Sequence, residues 1–229
     1  GLALQETLVN LGPHSARFNG TLPLKDKNNP LEIAGTVNGP NLAALMNLFG
    51  QTSDVPALAY RINGQYRYAN SKLTLRSVSG SLGSNQFDAS GSLVVGKDWP
   101  VTDLQLAARG PQLEELVPAN TLNEIPTGTF TASTGLKLSA SGTALSQLSV
   151  QTETGTMTGS LDLGWPADPE RVNFDLSANG KNLRMIVPDI EGYEPAAVPY
   201  QIEAMGSFRE QQADFTQLRA SLGTIKLEL

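Results

Sequence analysis

A short pattern occurs three times at an almost constant period, and that period limits the folds open to the chain more than any other feature. Gly39, Gly110 and Gly180 are each followed by apolar residues at the third, sixth and seventh positions. These are Leu42, Leu45 and Met46, then Leu113, Leu116 and Val117, then Leu183, Ile186 and Val187. The glycines lie 71 and 70 residues apart (110 − 39 and 180 − 110). Self-similarity at a fixed period marks a stack of like units, none of which buries its apolar face alone. Such an array offers a long surface rather than one enclosed cleft, so function is sought along its length.

Independent landmarks keep the same order. An apolar residue followed by proline recurs as Val55-Pro56, Ile125-Pro126 and Val198-Pro199. A Leu-Gly pair recurs as Leu11-Gly12, Leu82-Gly83 and Leu222-Gly223, with Thr154-Gly155 in the remaining slot. Leu11-Gly12, Phe18 and Gly20 parallel Leu82-Gly83, Phe87 and Gly91, so residues 1–30 read as the end of a preceding repeat. The expected organisation is one repeat-built module, a piece of a longer array, with repeats at 31–99, 100–170 and 171–229.

Composition narrows the partners. The net charge is −6, and Lys and Arg are scattered singly rather than clustered into the basic footprint that nucleic acid requires. The same scatter gives no polybasic attraction to anionic head groups. Cysteine is absent, which removes disulfides and thiolate metal sites from consideration. No apolar run approaches the roughly 20 residues of a membrane-spanning helix, and no secretory leader is visible. Abundant small polar residues with only 6% aromatics fit many short strands joined by tight turns.

Each unit opens on a strand. Ile33, Gly35 and Val37, then Leu104, Leu106 and Ala108, then Phe174, Leu176 and Ala178 alternate with polar or small neighbours. Period two with one apolar face marks a half-buried strand. A glycine and a short helix follow, with Pro40 and Pro111 suited to the first helical position. Pro118 and Pro188 stop the second and third helices, whereas Phe49 extends the first to Gly50. Leu58, Tyr60 and Ile62 predict a strand ending in an Asn63-Gly64 hairpin turn, with Tyr66 and Tyr68 returning. Leu73 and Leu75 begin a further strand, and Phe87, Ala89, Gly91 and Leu93 another. The expected fold is therefore mainly β with short helices, an antiparallel sheet of about three ~70-residue repeats. One short helix per unit cannot cover four strands. The sheet either folds on itself into a sandwich or stays open as a trough.

Several segments resemble a known family. GPNLAAL at 39–45, GPQLEEL at 110–116 and GKNLRMI at 180–186 are similar to the repeat of AsmA-like envelope proteins. So are SGSLGSNQFDASGSL at 79–93 and VTDLQLAARGPQL at 101–113. The wider group is that of TamB-related, repeating β-groove, bridge-like lipid-transfer proteins. The resemblance implies an elongated, curved sheet with an open hydrophobic groove. It also implies a periplasmic body anchored to the inner membrane, and movement of phospholipid between inner and outer membranes in support of outer-membrane assembly. On that basis the groove-facing residues are Ile33, Val37, Leu58, Tyr60, Leu75, Leu93, Leu104, Leu106, Phe130, Phe174, Leu176 and Ile202. Phospholipid or fatty acyl chains are the expected ligands, with no cofactor and no enzyme activity. Membrane contact falls to parts outside this sequence, and the sheet edges are expected to allow self-association. The alternative is a structural or adhesive β-repeat protein with a closed core and no ligand.

Signals for catalysis are weak. His14 is the only histidine, so no Ser–His–Asp triad or multi-histidine metal site has a foundation, and it reads as a solvated surface residue. Gly91 to Gly96-Lys97 has phosphate-loop spacing, but Asp98 replaces the metal-binding Ser or Thr. Glu114 and Glu115 are adjacent on a helix and point apart. Asp98 and Asp103, and Asp168, Glu170 and Asp175, read as solvated strand ends rather than a calcium loop.

Overall fold

The computed structural model describes residues 2–23, 30–48, 55–94, 101–116, 128–183, 196–210 and 212–229. They form one 14-stranded antiparallel sheet in which every strand pairs with its neighbours in sequence. The strands are β1 Leu2–Leu11, β2 His14–Leu22, β3 Leu31–Gly39, β4 Tyr60–Ala69, β5 Lys72–Leu82, β6 Asn85–Val94 and β7 Val101–Gly110. They continue as β8 Phe130–Ser139, β9 Gly142–Thr152, β10 Gly155–Leu163, β11 Val172–Gly180, β12 Tyr200–Arg209, β13 Gln212–Leu222 and β14 Ile225–Glu228. The sheet runs from β1 to β14 without closing into a barrel. Among the described residues, substantial contacts join only strands adjacent in sequence, and no second sheet packs across either face.

The two rims differ. At one, which we call the helical rim, β3 leads to helix α1 (Leu42–Leu48), β7 to a 3-10 turn at Leu113–Leu116, and β11 to the turn at Leu183. Each of these is pinned to the segment entering the next strand. Leu42 N–H donates to Leu58 O (2.9 Å), Leu113 N–H to Gly128 O (3.1 Å) and Leu183 N–H to Val198 O (2.9 Å). The opposite, turn rim carries tight hairpins such as Asn70-Ser71 and Ala140-Ser141. The Leu82-Gly83 landmark is a hairpin turn with Gly83 at φ +58°, a left-handed conformation that costs glycine little. Val117, Ile186, Val187, Phe49, Pro118 and Pro188 lie outside the described residues.

Two strand readings need correction. Asn63-Gly64 is not a hairpin turn. It sits inside β4, where Gly64 pairs with Gly35 on one side and Val78 on the other. The Asn63 side chain accepts a hydrogen bond from the Thr36 hydroxyl at 2.8 Å. Pairing along both edges holds the dipeptide extended, and the turn falls at Asn70-Ser71, both with positive φ. Leu58 lies outside the strand: its N–H donates to Pro56 O (2.9 Å), and β4 begins at Tyr60.

One register irregularity recurs in β1, β5, β9 and β13, which are every fourth strand. It lies between Leu4 and Thr7, Leu75 and Val78, Leu145 and Leu148, and Phe215 and Met205's partner Gln217. An extra residue in one strand bends it and increases its twist. The bulge residues Glu6 and Gln147 show this directly, at φ +45° and +53°.

Candidate functional site

In an antiparallel sheet, directly paired residues project to the same side, so the register assigns every side chain to a face. One face carries Leu104, Leu106 and Ala108 from β7 and their partners Leu136, Thr134 and Ala132 from β8. Followed across all fourteen strands, it holds Leu, Ile, Val, Phe, Met, Tyr, Ala, Gly and Thr, with His14 and Asn85 at the helical rim. Among the described strand residues that have a register partner, it holds no Asp, Glu, Lys or Arg. The reverse face carries the ion pairs Arg76–Glu32 (3.0 Å), Arg109–Asp88 (3.5 Å) and Arg219–Glu228 (2.9 Å).

All the sequence-predicted groove residues except Leu58 lie in strands, and all of those lie on the uncharged face. Ile33 and Val37 come from β3, Tyr60 from β4, Leu75 from β5, Leu93 from β6, and Leu104 and Leu106 from β7. Phe130 comes from β8, Phe174 and Leu176 from β11, and Ile202 from β12. Their environments divide. Tyr60, Phe130 and Tyr200 are buried at the helical rim, at 4%, 5% and 6% exposure, opposite Gly39, Gly110 and Gly180. The missing Cβ makes that room: a methyl on Gly180 would stand 2.6 Å from Tyr200 Cε1. Leu75, Leu93, Leu104, Leu106, Phe174, Leu176 and Ile202 are half-buried. Phe174 also meets Phe215 edge-on at 5.9 Å between ring centroids.

Sequence reasoning missed most of β8 and β9 and named no groove residue from β10. Leu136, Leu138, Leu145, Leu148, Leu161 and Leu163 share the uncharged face. The bulge at Gln147 sets Leu145 and Leu148 three residues apart, which breaks the alternation by which a strand is found.

His14 is buried, not solvated, at 4% exposure. It opens β2 beside the turn, and its ring stacks on Tyr60 with centroids 5.9 Å apart. Its Nδ1 lies 3.1 Å from the Tyr60 hydroxyl. The space it fills is that of Gly39, where a methyl would collide with Nδ1. Asn85 holds the corresponding place beside Gly110 at 1% exposure. Its Nδ2 donates to Gln112 O at 2.8 Å, and its Oδ1 accepts from Gln112 N–H at 3.3 Å.

Electrostatics follow the same division. Burial on the uncharged face raises the phenol pKa of Tyr60, Tyr66 and Tyr200 above the ordinary value of 10. Glu114 and Glu115 do point apart. Glu114 accepts the Gly128 N–H at 3.0 Å, which lowers its pKa, while Glu115 accepts Ser84 N–H and Oγ at 3.1 and 2.9 Å. Among the described residues, no group of three or more His, Asp or Glu is placed to hold a metal ion. No described helix is long and apolar enough to cross a membrane. Gly96, Lys97 and Asp98 lie outside the described residues.

No family model, curated protein or solved structure matches this chain.

Proposed function

We propose that the chain is a lipid-binding groove segment of an AsmA-like envelope protein. It is built from repeats at 31–99, 100–170 and 171–229 behind the end of another at 1–30. In this reading the parent protein is periplasmic, anchored to the inner membrane, and moves phospholipid toward the outer membrane. Acyl tails lie on the uncharged face while head groups stay in water, and no bond is made or broken.

The observation that carries the reading is the uncharged face itself, spanning fourteen strands with no layer of described residues across it. The exposed area agrees. The chain exposes 14632 Å2, whereas a compact monomer of 24.3 kDa would expose about 10,000 Å2. Apolar faces of this size on soluble proteins meet a partner, and each tail CH2 taken from water onto such a face contributes about 0.8 kcal/mol. Side chains on the uncharged face are mostly half-buried while those on the reverse face are mostly exposed. In a single layer this fits a sheet curved toward its apolar side, as the bulge in every fourth strand would make it. A closed-core adhesive protein would need a second layer, which the described residues do not supply.

The deciding experiment is mass spectrometry of organic extracts from protein purified without detergent. Phospholipid or fatty acid should co-purify in amounts comparable to the protein. Extracts containing neither would overturn the proposal.

A further inference from the structure

We infer that the two rims have different tasks: the helical rim is a wall, and the turn rim is the mouth through which a lipid enters and at which its head group rests. This rests on the lipid reading above.

The difference lies in what closes each rim. At the helical rim Tyr60, Phe130 and Tyr200 are buried against the strand-end glycines, and Leu183 is 7% exposed. The connections are also tied down beyond their first turn: Gly83 N–H donates to Ala59 O and Gly223 N–H to Pro199 O, each at 2.8 Å. Away from the edge strands β1 and β14, where Leu11 and Ile225 are 45% and 66% exposed, an acyl chain lying along the strands would meet packed rings and hydrogen-bonded backbone there. At the turn rim the apolar rows run almost to the hairpins. Tyr68, two residues before the Asn70-Ser71 turn, and Phe208, near the end of β12, are each 42% exposed on the apolar face. Two-residue turns are too short to fold over them. Covering at this rim is local: Thr102 is buried, and the Thr143 hydroxyl donates to Trp165 O at 2.9 Å. Among the described residues, the open stretches are thus at β4–β5 and at β11–β12.

The absence of cysteine allows single-site labels on the whole chain. Lys72→Cys marks the turn rim, Thr224→Cys the helical rim and Leu106→Cys the middle of the face, each carrying bimane. The proteins are loaded with phosphatidylcholine bearing a nitroxide either on the head group or at mid-chain, then freed of vesicles. The rims stand roughly 30 Å apart along ten-residue strands, so a short-range quencher cannot serve both. The head-group nitroxide should quench the Lys72→Cys label several-fold more than the Thr224→Cys label, and the mid-chain nitroxide should quench the Leu106→Cys label. Equal quenching at both rims, or more at Thr224→Cys, with the Leu106→Cys signal retained, overturns the rim assignment and leaves lipid binding standing. Loss of quenching at Leu106→Cys, or failure to load, overturns both.

Discussion

Replacing Leu106 with Glu separates an open face from a sealed core by the size of its effect. Leu106 lies midway along β7 and is half-buried. Its cross-strand partners on the face are Ala89 and Thr134, both small. Full burial of a leucine side chain contributes about 1.5–3 kcal/mol, so half-burial at Leu106 places its loss at about 0.8–1.5 kcal/mol. A glutamate there can turn past Ala89 into water and keeps its hydration. Leu106→Glu should therefore cost about as much as Leu106→Ala, within about 1 kcal/mol, out of the 5–15 kcal/mol typical of a folded domain. Under a second protein layer the carboxylate would be stranded, at a further cost of several kcal/mol. Urea unfolding of both variants at pH 7, followed by far-UV circular dichroism, measures the difference. A Glu variant that fails to fold, or falls more than about 3 kcal/mol below the Ala variant, would refute the reasoning. With the fold intact, co-purified lipid should drop in the Glu variant alone.

Further predictions address the sheet and its rims. Unfolding should expose about 20,000 Å2 rather than the roughly 25,000 Å2 of a compact protein of this mass. Calorimetry should accordingly give a heat-capacity change about a fifth below the usual 12–15 cal/mol/K per residue, and a normal value would contradict the single-layer sheet. Gly180→Ala sets a methyl 2.6 Å from Tyr200 Cε1 and 2.7 Å from Thr154 O, and should lower stability by about 1–3 kcal/mol in the same urea assay. Asn85→Ala leaves the Gln112 N–H and carbonyl without their partner beside Gly110, and should cost about 1–3 kcal/mol; an unchanged midpoint would remove the side chain from the rim's support. Burial holds the phenols of Tyr60, Tyr66 and Tyr200 protonated above pH 10. Because their folded pKa values are raised, the stability they contribute is complete below pH 10 and is lost as pH rises through the folded values. Absorbance titration at 295 nm should show late-ionising phenols that shift to the ordinary range on unfolding in urea.

Alternation was legible in several of the strands that run without a bulge. β3, β7 and β11 follow the pattern of Ile33-Val37, Leu104-Leu106 and Phe174-Leu176, and Leu82-Gly83 marked a real turn. Elsewhere, local signals yielded to pairing. Asn63-Gly64 has the composition of a hairpin turn, but Gly35 and Val78 flank Gly64 in register and hold it extended. His14 has the composition of a surface residue, but the site facing it lacks a Cβ, and an aromatic ring completes its walls. Bulges concealed β9 by inserting a residue into its period. None of these depends on a residue's own type. Each depends on a partner distant in sequence, which single-sequence patterns do not encode.

The same lack of partner information left the sandwich and the open trough equal in sequence terms, since both need one apolar face per strand. What distinguishes them is contact across that face. Ladder hydrogen bonds involve backbone alone, so they do not require the two faces to differ. The reverse face shows that these strands pair with mostly Ser, Thr, Gln and charged residues at the alternate positions. Half-buried leucines at the intervening positions still gain from touching cross-strand neighbours, but a compact fold would gain far more by covering them. A chain that leaves its apolar side chains half-covered along fourteen strands therefore retains an attraction for apolar matter that its own folding does not use up. On the proposed reading, an acyl chain, long, flexible and without hydrogen-bonding demands, would satisfy that attraction without needing a fixed pocket. Midway along the strands the apolar rows of successive strands are alike, so movement along the middle of the face would meet no deep well.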